Sequence, residues 1–368
     1  MCIRTKFPEK LIIFGNGFSL WLGLPTKYYN YKKFLLRNKE KYQNALMLFD
    51  VITNYCNDAD WNRLEDDMYN FAINKNKIEL DNPNIDIEKA NIEKNDSLNE
   101  WINEIRVQYK DELTNLYNLL YKMSKTNLYN FWTFNYIIDF MSPKLGKMIV
   151  ANARGNGKVR SVTQLHYRSH TDGTSEILFG GDWTEIRKKY PSQLTLHSES
   201  LIRFCSKFYG KNLCTDFKIE TKNKAMSFGP DFPKNPTLDA YNDMLGLAHA
   251  NWTQERGFSS NFINELDFIG FSLGVQDSNY FRSKDEKNPI RWIYRNNGLV
   301  KISYFNKNEI IPLSEKWESY LNNDEKKKHL HKIIKDDDLI KEVFSNFYDK
   351  LLKIKNQTQN KSKKLFPL

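Results

Sequence analysis

Leu11-Ile12-Ile13-Phe14-Gly15-Asn16-Gly17-Phe18-Ser19 is the stretch whose reading decides the fold. Four apolar residues end abruptly at Gly-Asn-Gly, the form of a buried parallel strand that feeds a glycine turn and then a helix N-terminus. Paired glycines let a backbone approach a ligand closely. A helix N-terminus offers N–H groups and the positive end of its dipole to an anion such as a pyrophosphate. On that chemistry Gly15, Asn16, Gly17 and Ser19 are candidate cofactor-binding residues. A side chain at Gly17 is expected to fill the space a nucleotide needs while leaving the fold intact. The same turn also serves plain packing of helix on strand, so both readings stand.

Working outward, two other apolar runs stop in the same way: Leu128–Phe134 at Asn135, and Leu266–Ile269 at Gly270. Met148–Ala151, Val159–Leu165 and Ile177–Phe179 read as further strands, and Arg291–Arg295 with Val300–Phe305 as a strand pair about Asn296-Asn297-Gly298. Helical patterns lie between them, at Lys33–Val51, after Asp60 as a cap, and at Leu98–Met123, Leu201–Tyr209 and Leu238–Thr253. Ser314–Lys355 reads as helical. The Asn-, Lys- and acid-rich residues 74–97 and Phe228–Pro233 read as loops, and the polar tail from Asn356 as frayed. The expected fold is α/β: a Rossmann-like, mainly parallel sheet in a domain spanning 1–310, with large helical insertions at about 30–125 and 184–260. C-terminal helices and a polar tail follow at 311–368. In such sheets ligands sit outside the carboxyl ends of the strands, where Gly15, Asn135 and Gly270 fall.

Composition narrows the class. With 24 Phe, 20 Tyr and 8 Trp the chain has ample material for a core, which excludes wholesale disorder. No run of eighteen apolar residues predicts a membrane span, and Met1–Lys6 carries no signal-peptide pattern, so a cytoplasmic protein is expected. Cys2, Cys56, Cys205 and Cys214 are scattered without a C-x-x-C pair, so neither a zinc ribbon nor a disulfide framework is expected. The net charge of +10 is spread rather than striped, and specific nucleic-acid binding is not the expectation.

Several separated strings resemble the AbiH family of bacteriophage abortive-infection proteins, and more distantly the sirtuins. Gly15-Asn16-Gly17-Phe18-Ser19, continuing to Gly23-Leu24-Pro25-Thr26, is similar to the AbiH pattern G-N-G-F-D-x-x-x-G-L-x-T and to the first sirtuin motif. Thr133-Phe134-Asn135-Tyr136 resembles the AbiH T-F-N-Y segment and the sirtuin T-Q-N-x-D segment, with Ile137 where sirtuins carry Asp and Asp139 two residues later. Gln164-Leu165-His166-Tyr167 resembles an H-G element, with Tyr167 in place of Gly, and Gly180-Gly181-Asp182 resembles a G-x-D element. Gly270-Phe271-Ser272-Leu273-Gly274, continuing to Tyr280-Phe281, resembles G-H-S-L-G-x-x-D-x-x-Y-F, with Phe271 replacing His. Trp61 with Glu65 resembles W-x-x-x-E, and Glu65 reads equally as lining a site or as part of a solvated helix face.

The resemblance implies a sirtuin-like fold of the NAD-binding type, and an antiviral, abortive-infection effector that binds NAD and hydrolyses it at the nicotinamide–ribose bond. It implies Asn135 and His166 as catalytic residues. Gly15, Asn16, Gly17, Ser19, Thr133, Gly270 and Ser272 would hold the cofactor. It implies a phage-derived trigger protein and a homo-oligomer as partners, and no metal. Read from the residues alone, Asn135 equally caps a helix that follows it, and a lone His at a strand end is equally structural, with His170 as a rival. Gly-x-Ser-x-Gly around Ser272 also has the pattern of a hydrolase nucleophile elbow, without an ordered acid and His to follow it. A non-catalytic nucleotide-sensing or protein-interaction module and a nuclease are the alternatives.

Overall fold

Glu9–Phe14 forms strand β1, and its four apolar residues Leu11, Ile12, Ile13 and Phe14 are fully buried, as a strand covered on both faces requires. The structure is a computed structural model. It describes residues 9–61, 63–74, 84–126, 129–138, 159–164, 167–169, 175–177, 179–181, 186, 189–190, 196–207, 263–274, 298–321 and 330–365. In chain order the other strands are β2 (Tyr129–Thr133), β3 (Val159–Gln164), β4 (Tyr167–Ser169), β5 (Ser175–Ile177), β6 (Ile263–Ile269), β7 (Leu299–Tyr304) and β8 (Leu330–Lys335). Six of them form one sheet in the order β3-β2-β1-β6-β7-β8, and every neighbouring pair is parallel. β4 and β5 make a separate antiparallel pair.

Counting only the large sheet, the chain lays its first three strands outward from β1 in one direction and its last three in the other. The order therefore reverses between β1 and β6, and the rule for open parallel sheets puts the ligand crevice there, at the carboxyl ends. Ile12 lies opposite Phe131 of β2 on one side and Asp267 of β6 on the other. Gly15, Asn135 and Gly270 consequently share one edge of the sheet, as the three strand-end patterns predict.

The alternation of side chains sorts the core into two layers. Leu11, Ile13, Leu266, Phe268, Val300 and Ile302 face the helix Ile310–Tyr320 through its Leu313, Trp317 and Tyr320. Ile12, Phe14 and Ile269 face the opposite way, toward α1 (Asn16–Leu22), the helix Asp336–Phe344 and a large helical array. That array is built from α2 (Tyr28–Arg37), α3 (Gln43–Tyr55), α4 (Leu64–Asn74), α5 (Ile87–Gln108), α6 (Lys110–Thr126) and α7 (Leu196–Cys205). In this numbering Ile310–Tyr320 is α8, Asp336–Phe344 is α9 and Tyr348–Leu365 is α10. Among the described residues no helix is long and apolar enough to cross a membrane.

Several sequence expectations need correction. Lys33–Val51 is not one helix: α2 ends at Arg37 and α3 starts at Gln43. Residues 87–97 are helical rather than loop, because α5 begins at Ile87 with the Asp86 side chain capping the Lys89 N–H. Asp60 does not open α4; the Asp58 carboxylate accepts the Arg63 N–H at 2.8 Å just before Leu64. α7 ends at Cys205 rather than continuing to Tyr209. Ser314–Lys355 is interrupted by β8, which pairs in register with β7 from Leu299↔Leu330 to Tyr304↔Lys335. His331 accordingly sits in that strand, against the Ser314 hydroxyl. The tail from Asn356 is the second half of α10, docked through buried Ile354 and Thr358. Met148–Ala151, Leu238–Thr253, Phe228–Pro233 and Arg291–Arg295 lie outside the described residues.

Candidate functional site

The carboxyl edge is built by two strand ends closing on each other. Gly15 donates its N–H to the Ile269 carbonyl (2.9 Å), Gly17 to the Gly270 carbonyl (2.8 Å) and Phe18 to the Gly15 carbonyl (3.2 Å). Gly270 has φ +59°, and a Cβ there would lie 2.2 Å from the Phe18 nitrogen. A Cβ on Gly17 would lie 2.7 Å from the Gly270 Cα. Glycine is thus required because one backbone packs against another. This corrects the expectation for Gly17: a side chain there meets the Gly270 backbone first and disturbs the packing of β1 against β6.

Asn135 ties β2 into the same junction. Its carboxamide donates to the Gly15 carbonyl (3.1 Å) and to the Ser19 hydroxyl (2.7 Å), and accepts from the Ile137 (2.9 Å) and Ile138 (3.1 Å) N–H groups. Those four bonds use both donors and both lone pairs of the amide. The Asn135 N–H in turn donates to the Thr133 hydroxyl at 3.0 Å. Asn135, Thr133 and Ser19 are all fully buried. Asn135 therefore caps the bend at 136–138, a local cap like the one the alternative reading has but on a bend rather than a helix, and also clamps it to the start of α1. Asn16 is half-buried and donates its side-chain amide to the Thr26 carbonyl.

The loop after β6 is held from the α8 side. Ser272 is exposed and its carbonyl accepts from Lys316. Leu273 adopts φ +51°, and the Tyr320 hydroxyl donates to the Leu273 and Gly274 carbonyls. Phe271, where the AbiH pattern has His, packs its ring 4.5 Å from that of Phe134 and 5.4 Å from that of Phe268. An aromatic ring in an apolar layer accounts for the replacement. His166, His170, Asp182 and residues 275–281 lie outside the described residues.

A second polar cluster lies on the helical side. Glu65, on α4, is buried rather than on a solvated face, and accepts the Tyr136 hydroxyl at 2.6 Å. The Gly180 N–H reaches the same Glu65 oxygen at 3.4 Å and the Lys207 ammonium lies 3.9 Å away. Trp61, four residues before it in sequence, is fully buried, with φ +57°. The cluster joins the W-x-x-x-E string, the residue after Asn135 and the Gly-Gly string, so three separated motifs converge here. Tyr136 is visible in T-F-N-Y, whereas nothing in the sequence around Lys207 marks it.

A family model described as bacteriophage abortive infection AbiH matches residues 11–296. The chain belongs to the AbiH family. No curated protein and no solved structure matches it. The AbiH match spans β1 to β6 with the helical array, and so includes the Gly15–Asn135–Gly270 junction and the Glu65 cluster. β7, β8 and α8 to α10 lie beyond it, although they complete the sheet.

Proposed function

We propose that this chain is an anti-phage abortive-infection effector that binds NAD at the carboxyl edge of its sheet and hydrolyses it. Family membership supports the defence role. The reversal of strand order between β1 and β6, at the point where Gly15, Asn135 and Gly270 meet, is the observation that carries nucleotide binding. It supports a Rossmann-like, sirtuin-like type of sheet. On this reading the pyrophosphate lies over the β1–α1 turn near Gly15, Asn16 and Gly17, and the exposed Ser272 contacts ribose or phosphate.

The reaction breaks the bond between C1′ of the ribose and the nicotinamide nitrogen, and the bonding electrons go to that nitrogen. A water oxygen bonds to C1′ and its proton passes to His166, whose imidazole suits a base near neutral pH. Asn135 supports the step by holding the β2 turn against Ser19. His166→Ala is expected to cut nicotinamide release by about 100-fold or more, the range for a lost acid–base group, with a small effect of His170→Ala. The reverse order would assign the role to His170.

One observation favours a second reading. Every hydrogen-bonding group of the Asn135 carboxamide is committed to the protein, which suits a structural clamp in a non-catalytic nucleotide-sensing module. NAD binding without nicotinamide release would select it.

A further inference from the structure

Within the helical array, the seam between α5 and α7 encloses a cavity of about 410 Å³, inside the range of roughly 300–1,000 Å³ that small-molecule sites occupy. None of its lining residues belongs to the six-stranded sheet. Glu88, Asn91 and Ile92 share one face of α5 at three- and four-residue spacing and form one wall; Arg203 of α7 stands on the other. The two walls are cross-linked. The Asn91 carboxamide donates to the Ser200 carbonyl of α7 at 2.8 Å. The buried Lys94 ammonium donates to the Phe204 (2.9 Å), Arg203 (3.3 Å) and Phe179 (3.4 Å) carbonyls. Held in this way, the space exists without a ligand. Its floor includes buried Phe179, while Glu88 and Ile92, the latter 63% exposed, stand at a mouth that opens to solvent.

The charges lining the cavity are not equivalent. Carbonyl dipoles satisfy the Lys94 N–H groups without cancelling the unit charge, which acts from a buried position where the effective dielectric is low. Glu88 faces water, where its opposing charge is screened. Arg203 pairs with Glu199 at 3.2 Å, one helical turn away, with both side chains about a third exposed. Such a pair holds weakly, so an entering anion can share the guanidinium fork. The balance favours a negative group beside Arg203, and Ile92 and Phe179 favour apolar surface next to it. We propose that the α5–α7 cavity binds a small organic anion, a phosphate or carboxylate carried on an apolar body, with Arg203 taking the anionic group and Ile92 and Phe179 the apolar part. The site is separate from the carboxyl edge and does not depend on the nucleotide reading.

The test titrates the full-length chain with phenyl phosphate, benzoate, inorganic phosphate and phenol, followed by ligand-observed NMR. Phenyl phosphate or benzoate is expected to bind at least about 10-fold more tightly than inorganic phosphate, which lacks the ring, and than phenol, which lacks the charge. The tighter of the two identifies the anionic group as phosphate or carboxylate. Arg203→Gln is expected to weaken that ligand about 10-fold or more, and Ile92→Glu, at an exposed position that tolerates change, to do the same by placing a negative charge at the mouth. Glu88→Gln is expected to tighten it about 2-fold, an opposite direction that general destabilisation does not produce. Saturating NAD is expected to leave it bound. Failure of both phenyl phosphate and benzoate to bind the wild type would overturn the inference and leave the NAD reading untouched. Binding that none of the three substitutions changes, or that NAD displaces, would place the anion elsewhere and overturn it equally. So would a loss of binding in Arg203→Gln that tracks a fall in its melting temperature and has no counterpart in Ile92→Glu.

Discussion

At the scale of single residues, Asn135 matters most to the account. Removing its carboxamide strands the Ile137 and Ile138 N–H groups in a dry environment. Asn135→Ala is therefore expected to destabilise the fold by about 3 kcal/mol, read as a fall in the urea midpoint, since each orphaned buried group costs roughly 1–3 kcal/mol. An unchanged midpoint would remove Asn135 from its clamping role. The role was only half legible in sequence. A strand ending in Asn announces a cap, but the Ser19 partner lies 116 residues away and no local pattern encodes it.

Asp67 gives a second test at this scale. Burial pushes its carboxyl up to about 7, and the neighbouring Asp58 adds to the shift. The folded state then holds a proton that the unfolded chain releases near pH 4. Stability from this group is complete below that value and is lost as pH rises toward 7. Wild type should lose roughly 2 kcal/mol between pH 4.5 and 8 that Asp67→Asn does not lose, measured by urea unfolding at both pH values. Parallel pH profiles for the two proteins would contradict the burial of a protonated Asp67.

At the scale of elements, the strands of the inner sheet were legible because they are apolar on both faces and stop at Gly or Asn. The first half of α5 was not, because its buried face turns polar at Glu93, Lys94 and Ser97, whereas the half from Leu98 onward reads as helix. Glu93 accepts the Ala45 N–H and so caps α3, Lys94 donates to the Phe179, Arg203 and Phe204 carbonyls, and Ser97 meets the Tyr31 hydroxyl. A hydrophobic-period reading sees loop where these side chains make core contacts. β8 was hidden for the opposite reason: Leu330-His331-Lys332-Ile333-Ile334-Lys335 is an edge strand whose lysines read as a helix face and which charge suits to an unpaired edge. The second half of α10, from Asn356, was hidden by its polar composition, yet Leu351, Ile354 and Thr358 form one buried stripe. Leu351→Ala should cost about 2–4 kcal/mol by denaturation, the usual range for a buried Leu. A cost within about 0.5 kcal/mol, typical of a surface position, would mean that α10 is not docked.

Across the whole molecule, α10 and the ion network fix the frame on which the edge is built. Lys355 lies 3.9 Å over the Trp21 ring while the Trp21 indole donates to Asp337, so α1 is pinned by both C-terminal helices. On the same face of the sheet, Lys10 of β1 pairs with Asp267 (2.7 Å) and Glu265 (2.8 Å) of β6, and Lys301 of β7 pairs with Glu265 and with Glu342 of α9. Burial opposes the charge on Lys10, but Asp267 and Glu265 outweigh it and raise its pKa; burial holds Asp267 up at about 6 despite Lys10. The network crosses β1, β6 and β7 and so joins both halves of the sheet across the switch point. Lys10→Met should cost about 3 kcal/mol at pH 7.5, because it leaves the Asp267 charge buried without that partner, and less near pH 5 where Asp267 is protonated. Equal costs at the two pH values would place Asp267 outside the pair.

On the proposed function, this frame carries a nucleotide site at its carboxyl edge that works on NAD. Incubating the pure full-length chain with NAD and separating the products by chromatography tests it most directly. The expected products are free nicotinamide and ADP-ribose in equal amounts, accumulating with time and falling about 100-fold or more in His166→Ala. Intact NAD after prolonged incubation, together with no heat of NAD binding by calorimetry, would contradict it.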